Sequence, residues 1–233
     1  MRQGSPLTRL LKRLAAQLPH HWQTELKRIY FRKQIRTGNF VTDELEYKIL
    51  HEFIMPGDWV LDIGANIGHY TKRFSELVGA QGRVIAFEPV PTTFYLLSAN
   101  TQLFAHSNVT LINAAISDKS DLVQMSIPIF STGLTNYYEA HISSATDNTL
   151  PVLTLAVDQL GISQRIALIK IDAEGHEAFV VSGMTKLIEK HHPILIIETG
   201  SPALITGVSS LGYEAERLQN SANILFRPTK LTA

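Results

Sequence analysis

Short, nearly continuous apolar runs punctuate this chain and alternate with stretches of helical period. Trp59 to Ile63, Arg83 to Phe87, Val109 to Ala115, Leu122 to Ile127, Ala167 to Ile171 and Pro193 to Glu198 predict strands. Helices are predicted at about 68 to 79, 91 to 104 and 175 to 191. A further helix is expected from Thr42-Asp43-Glu44-Leu45 onward, with Tyr47, Ile49, Leu50, Phe53 and Ile54 as its apolar positions and Pro56-Gly57 as its stop. Apolar strands separated by helices indicate a parallel sheet covered on both faces. The tail departs from that alternation. Tyr213 to Leu218 and Asn223 to Arg227 are joined only by Gln219-Asn220-Ser221-Ala222 and predict an antiparallel hairpin. The expected fold is therefore α/β and Rossmann-like: a mostly parallel seven-stranded sheet ending in an antiparallel hairpin, with helices on both faces.

One stretch lacks either period. Roughly Pro128 to Leu150 carries Ser131, Thr132, Gly133, Asn136, Asp147 and Asn148 around Tyr137 and Tyr138. Loops this long are functional or mobile, so 128–150 is read as a loop covering a substrate or as a plain surface insertion.

The 233 residues, 45% hydrophobic and 18% charged, suffice for one substantial core. The absence of cysteine excludes disulfides, zinc-thiolate sites and thiol nucleophiles. No run of 18 apolar residues exists and basic residues interrupt the first 30, so a soluble cytoplasmic protein is expected.

The net charge of zero conceals an asymmetry: residues 1–36 hold nine Lys or Arg against the single acid Glu25. Residues 1–41 read as a basic, mostly helical extension and 42–233 as the main domain. Within the extension, Ser5-Pro6 is a helix start, and Leu7, Leu10, Leu11, Leu14 and Leu18 form one stripe. The stripe suits packing on the body or on a second subunit, and its basic polar face also suits an anionic membrane surface. The acidic body disfavours nucleic acid as a partner.

The chemistry concentrates at Val60-Leu61-Asp62-Ile63-Gly64-Ala65-Asn66-Ile67-Gly68-His69-Tyr70, where a strand ends in an acid and a Gly-rich turn opens a helix. Gly64 and Gly68 are expected to let backbone amides approach a ligand, with Ala65 and the His69 backbone beside them. The dinucleotide fingerprint G-x-G-x-x-G is not met, because Asn66 occupies the middle glycine position. Asp62 would repel a pyrophosphate but suits a cofactor bearing an ammonium group, as S-adenosylmethionine does.

Two further acids end strands. Glu88, in Ala86-Phe87-Glu88-Pro89, falls 20 residues after Gly68, where an acid accepts hydrogen bonds from ribose hydroxyls. Asp172 ends the Ala167 to Ile171 run. Asn113-Ala114-Ala115 is expected either to offer an adenine edge and a small-residue wall or simply to leave the core. On a helical wheel Glu177 falls on the apolar face with Val180, Val181, Met184 and Ile188, and Glu174 lies near it, so Glu177 is either a capping carboxylate or a site residue. His176 projects away and is expected at the surface.

The segments Gly57 to Gly68, Ala86 to Pro89, Leu168-Ile169-Lys170-Ile171-Asp172-Ala173-Glu174-Gly175-His176-Glu177 and Pro193 to Glu198 together resemble the FkbM family of S-adenosylmethionine-dependent, class I methyltransferases. The likeness spans about residues 42 to 200, and its most specific block is Lys-Ile-Asp-x-Glu-Gly. It implies O-methyl transfer to a hydroxyl of a sugar, polyketide or other secondary metabolite, a small-molecule or glycan acceptor. Asp172 is the residue expected nearest the reacting centre, as general base or acceptor-orienting group, with Glu174 next. The cofactor site is expected to comprise Asp62, Gly64, Ala65, Asn66, Gly68, His69, Glu88, Pro89 and Ala114. No metal is required, although Asp172 and Glu198 end neighbouring strands and a divalent-cation variant is the alternative. An NAD-dependent oxidoreductase and a non-catalytic interaction domain are the competing readings from other classes.

Overall fold

The computed structural model describes residues 17–128, 140–142 and 149–229, so the stripe at Leu7 to Leu14 and most of the 128–150 segment lie outside the described residues. The described residues open with helix α1 (His20–Arg36), followed by α2 (Leu45–Ile49), a 3-10 turn at Leu50–Glu52, β1 (Trp59–Ile63), α3 (His69–Val78), β2 (Arg83–Phe87), α4 (Pro91–Thr101) and β3 (Val109–Ile112). Strands β4 (Ala115–Ile116), β5 (Asp121–Ser126), β6 (His141–Ile142) and β7 (Thr149–Leu155) come next. The rest is β8 (Ile166–Ile171), α5 (Glu177–Ser182), α6 (Thr185–His191), β9 (Ile194–Glu198), α7 (Pro202–Ser210), β10 (Tyr213–Arg217) and β11 (Asn223–Pro228).

The main sheet has seven strands in the order β10-β11-β9-β8-β1-β2-β3. Its five inner and leading strands are parallel, while β11 runs antiparallel between β9 and β10. The expected terminal hairpin is thus present. Every residue of β8 is buried, as is all of β1 after Trp59, because helices cover both faces. Each large apolar side chain in these strands contributes about 1.5–3 kcal/mol on leaving water. The chain passes from β1 outward to β3 and then returns to β8 on the other side of β1. The carboxyl ends of β1 and β8 therefore form a topological switch point.

Three expectations are corrected. The third strand stops at Ile112, since the Asn113 amide donates to the carbonyls of Glu88 and Pro89 (2.8 and 3.0 Å) and turns the chain out of the sheet. The strand expected at 122–127 belongs to a second sheet, β4-β7-β5-β6, in which β5 pairs antiparallel with both β6 and β7. This places β6 and the first two residues of β7 inside the segment expected to be loop, and Leu150 and Val152 of β7 pack with Val90, Met125 and Ile127.

The single helix expected over 175–191 is two helices, divided at Gly183 and Met184. A Cβ at Gly183 would lie 1.9 Å from the Ser117 carbonyl oxygen, so this backbone is pressed against the turn after β4. The Asp158 carboxylate restarts the helix by accepting from the Lys186 and Leu187 amides (3.0 and 2.9 Å). We expect Gly183→Ala to destabilise the protein by about 1–3 kcal/mol through overpacking, lowering Tm by several degrees. Asp158→Ala should cost about 1 kcal/mol as a lost cap, and thermal denaturation of both variants checks the order.

Candidate active site

Gly64 follows β1 with φ of 76°, and a Cβ there would stand 1.9 Å from the Asp172 carbonyl oxygen. Only glycine permits this approach of the β1 loop to the end of β8. The Asp172 amide also donates to the Ile63 carbonyl (3.0 Å). Gly68, φ 98°, opens α3 and packs against Leu97, whose Cδ1 would lie 2.7 Å from an added Cβ. Asn66 adopts φ of 51°, a left-handed conformation that Asn tolerates better than most residues.

The loop amides are already committed. Gly64 and Ala65 donate to the Phe87 carbonyl (3.0 and 2.9 Å), Asn66 to Glu88 Oε2 (2.9 Å) and Gly68 to the Ala65 carbonyl (2.9 Å). The expected amide cradle is therefore not offered by these four groups. Their glycines serve close packing instead, a geometry poorly suited to a pyrophosphate, which needs free N–H donors.

Above the switch point lies an open-mouthed cleft, with about 600 Å³ of empty space when the open solvent at its mouth is counted. Gly64, Asn66, Glu88, Pro89, Ala114, Asp172 and Glu174 line it, together with Ala115, His176 and, from the second sheet, Met125 and Ile142. Asp62, Ala65, Gly68 and His69 do not. Asn113 is likewise absent from the lining, while Ala114 and Ala115 supply the small-residue wall.

Asp62 is 1% exposed beneath the loop, where Oδ2 accepts from Thr71 Oγ1 (2.6 Å) and Oδ1 has no hydrogen-bond partner. It is not among the residues that line the cleft. Burial pushes its carboxyl up to about 6, against the Thr71 hydrogen bond and the nearby Lys170 charge. His69 stacks on Phe40 with ring centroids 4.1 Å apart, and burial lowers its pKa to about 4, so it is a neutral packing residue near pH 7.

Glu88 is 5% exposed, with Oε1 accepting from the Val90 amide and Oε2 from the Asn66 amide, both at 2.9 Å. A carboxylate has about four acceptor positions, so two remain for hydroxyl donors in the cleft. Burial raises its pKa to about 7 despite those two bonds, with Asp172 and Asp62 adding to the rise.

A second recess, with about 850 Å³ of open space, adjoins the first and is bordered by Asp172, Glu174, Glu177, Glu198, Ser201 and Arg217. Asp172 and Glu174 line both recesses and form the wall between them. Glu174 and Gly175 turn this wall through φ values of 48° and 91°. Glu177 holds the turn, since its Oε1 accepts from the Ala173 and Gly175 amides (3.3 and 2.9 Å). Glu177 thus clasps the turn and also borders the second recess. His176 is not a surface residue: it is half-buried, bonds Ser117 Oγ through Nε2 (2.9 Å) and stacks on Phe179, and burial lowers its pKa. Asp172 and Glu198 face one recess, but among the described residues no group of three His, Cys, Asp or Glu side chains could hold a metal ion.

Lys170 belongs to the most specific sequence block but has no site role assigned by it, and the structure places it behind Asp172. Its side chain is 4% exposed, and Nζ lies 3.2 Å from Asp172 Oδ2 and 4.7 Å from the centre of the Tyr70 ring. Burial alone would lower its pKa, but Asp172, Asp62 and Glu198 outweigh that and raise it, so it is a permanent cation. A lysine in the otherwise apolar run Ile166–Ile171 was the available signal, because a buried ammonium is costly unless paired.

The sheet order, the terminal antiparallel strand and the cleft at the switch point define a class I methyltransferase fold. Two solved structures share that fold. A methyltransferase FkbM from Methylobacillus flagellatus KT aligns with a TM-score of 0.53 at 15% identity, over 84% of this chain and 57% of that one. A methyltransferase from Geobacter sulfurreducens aligns at 0.50 and 12%, over 95% and 96%. The methyltransferase FkbM domain model matches residues 62–214, about two thirds of the sequence, and the chain belongs to the FkbM family of S-adenosylmethionine-dependent methyltransferases. A hexuronic acid methyltransferase, AglP of Haloferax volcanii, is 27% identical over 152 residues, which is 64% of this chain and 59% of AglP.

Asp62 and Glu88 bind a proton more tightly folded, at about 6 and about 7, than in the unfolded chain at 3.8 and 4.5. Their stabilising contribution is thus complete below the unfolded values and is lost as pH rises through the folded ones. Urea denaturation without cofactor should give a stability lower at pH 8 than at pH 4 by on the order of a few kcal/mol. Asp62→Asn should flatten that dependence, and an unchanged slope would contradict the burial described.

Proposed function

We propose that this protein transfers a methyl group from S-adenosylmethionine to a hydroxyl of a sugar or similar polyhydroxylated metabolite. The observation that carries the reading is that Asp172 borders both recesses, with Lys170 fixed behind it. The cleft suits the nucleoside half of the cofactor: Glu88 for the ribose hydroxyls, Ala114 and Ala115 as a flat apolar wall, and Gly64 and Pro89 as the floor. When bound, the cofactor supplies an electrophilic methyl on a sulfonium. The second recess presents carboxylates, which accept hydrogen bonds from hydroxyl donors.

Asp172 accepts the hydrogen bond of the acceptor hydroxyl and orients its oxygen. On methyl transfer the sulfur–methyl bond would break as the carbon–oxygen bond forms, leaving S-adenosylhomocysteine, and the Asp172 carboxylate would take the proton of the hydroxyl. The Lys170 ammonium holds the carboxylate in a fixed rotamer, since its own side chain is locked by burial and by the Tyr70 ring. Much of the acceleration in such a displacement comes from positioning, which this arrangement provides. The hexuronic acid substrate in the name of the Haloferax relative supports a sugar acceptor. The committed loop amides weigh against the dinucleotide alternative.

Glu88→Ala should weaken S-adenosylhomocysteine binding at least about tenfold in calorimetry, the worth of one to two hydrogen bonds to a charged group, with the fold intact by circular dichroism. Asp172→Asn should retain that binding while transfer of labelled methyl to a glycan pool falls about a hundredfold or more. Undiminished transfer by Asp172→Asn would remove its role, and undiminished binding by Glu88→Ala would remove the ribose assignment.

A further inference from the structure

Helix α1 is apolar on two opposite faces. With about 100° between successive residues, Phe31 and Ile35 point in nearly one direction. Both are buried against the domain with Phe40, Ile67 and Leu96. Trp22, Leu26 and Ile29 lie within about 40° of the diametrically opposite direction, and they are 56%, 48% and 59% exposed. The rotation of the helix is fixed. Glu25 accepts from the Tyr95 hydroxyl of α4 (2.9 Å) and from Arg28 Nε (2.8 Å), so the outer face stays outward.

The charge on that helix has one sign. Lys27, Arg28, Arg32, Lys33 and Arg36 stand against Glu25 alone, which is paired with Arg28. Arg32, Lys33 and Arg36 are exposed, and Lys33 falls among Trp22, Leu26 and Ile29 on the wheel, with Tyr30 and Arg36 at the margins. Aromatic and aliphatic side chains interleaved with bases match the boundary between headgroups and acyl chains, where Trp and Tyr prefer to sit and bases meet lipid phosphates. A two-fold contact with a second copy would set these bases against their own equivalents, a like-charge arrangement. Among the described residues no helix is long and apolar enough to cross a membrane, so the attachment lies on the surface.

We propose that the outer face of α1 docks the protein on an anionic lipid bilayer, with Trp22, Leu26 and Ile29 entering the headgroup boundary and Lys33 and Arg36 against its phosphates. The test is flotation of the full chain with phosphatidylcholine vesicles, with and without phosphatidylglycerol. Binding is expected to be at least tenfold stronger to the anionic vesicles and to weaken with salt. Leu26→Ser combined with Ile29→Ser, and separately Lys33→Glu combined with Arg36→Glu, should each reduce it at least tenfold while S-adenosylhomocysteine affinity and melting temperature stay unchanged. Absence of wild-type binding would overturn the proposal, as would variants that float like wild type. A dimer in analytical ultracentrifugation that the Leu26, Ile29 variant dissolves, without vesicle binding, would assign the face to a second copy instead.

Discussion

The site depends on the approach of two strand ends that glycine alone allows. Because Gly64 has no side chain, the loop after β1 lies against the backbone of Asp172, and the Asp172 amide closes the contact on Ile63. The loop that lines the first cleft and the carboxylate that lines both recesses are consequently joined backbone to backbone. Glu88 extends the junction to β2 by holding the Asn66 amide, so three neighbouring strands converge on a single turn.

Electrostatics add the second constraint. Burying the Lys170 ammonium costs several kcal/mol unless it is compensated, and Asp172, Asp62 and the Tyr70 ring supply that compensation. The Tyr70 hydroxyl in turn donates to Glu44 (2.7 Å) and to Glu46, which also takes hydrogen bonds from Ser221 and Asn223. The polar path from Asp172 and Lys170 therefore runs through the interior to the terminal hairpin. Buried networks of this kind specify a unique arrangement only when each member is satisfied, and Asp62 Oδ1, Glu46 Oε2 and Asn223 Oδ1 are the buried oxygens of this region that have no hydrogen-bond partner among the described residues.

Much of this was legible in the chain because the main strands are short apolar runs with turn residues between them. β1 and β2 fall at the expected residues, and β8 differs by one. Glu88 and Asp172 were recognisable as acids at strand ends. What escaped was tertiary. The split of the 175–191 helix depends on the Ser117 carbonyl and the Asp158 cap, both remote in sequence. The capture of the loop amides depends on Phe87, which no local pattern reveals. Strand β7 was masked by Pro151 and polar neighbours, while α7 carries at Ser201-Pro202 the same start signal used for the extension and was readable. Asp62 looked like a ligand contact because it ends a strand, whereas its side chain points below the loop to Thr71.

The central claim is that Asp172 separates a cofactor cleft from an acceptor recess. A crystal structure of the S-adenosylhomocysteine complex tests it most directly. The account predicts ribose hydroxyls on Glu88, the sulfur facing the Asp172 wall, and the recess beside Glu198 and Arg217 left open. A ribose held elsewhere, or a homocysteine tail filling that second recess, would contradict it.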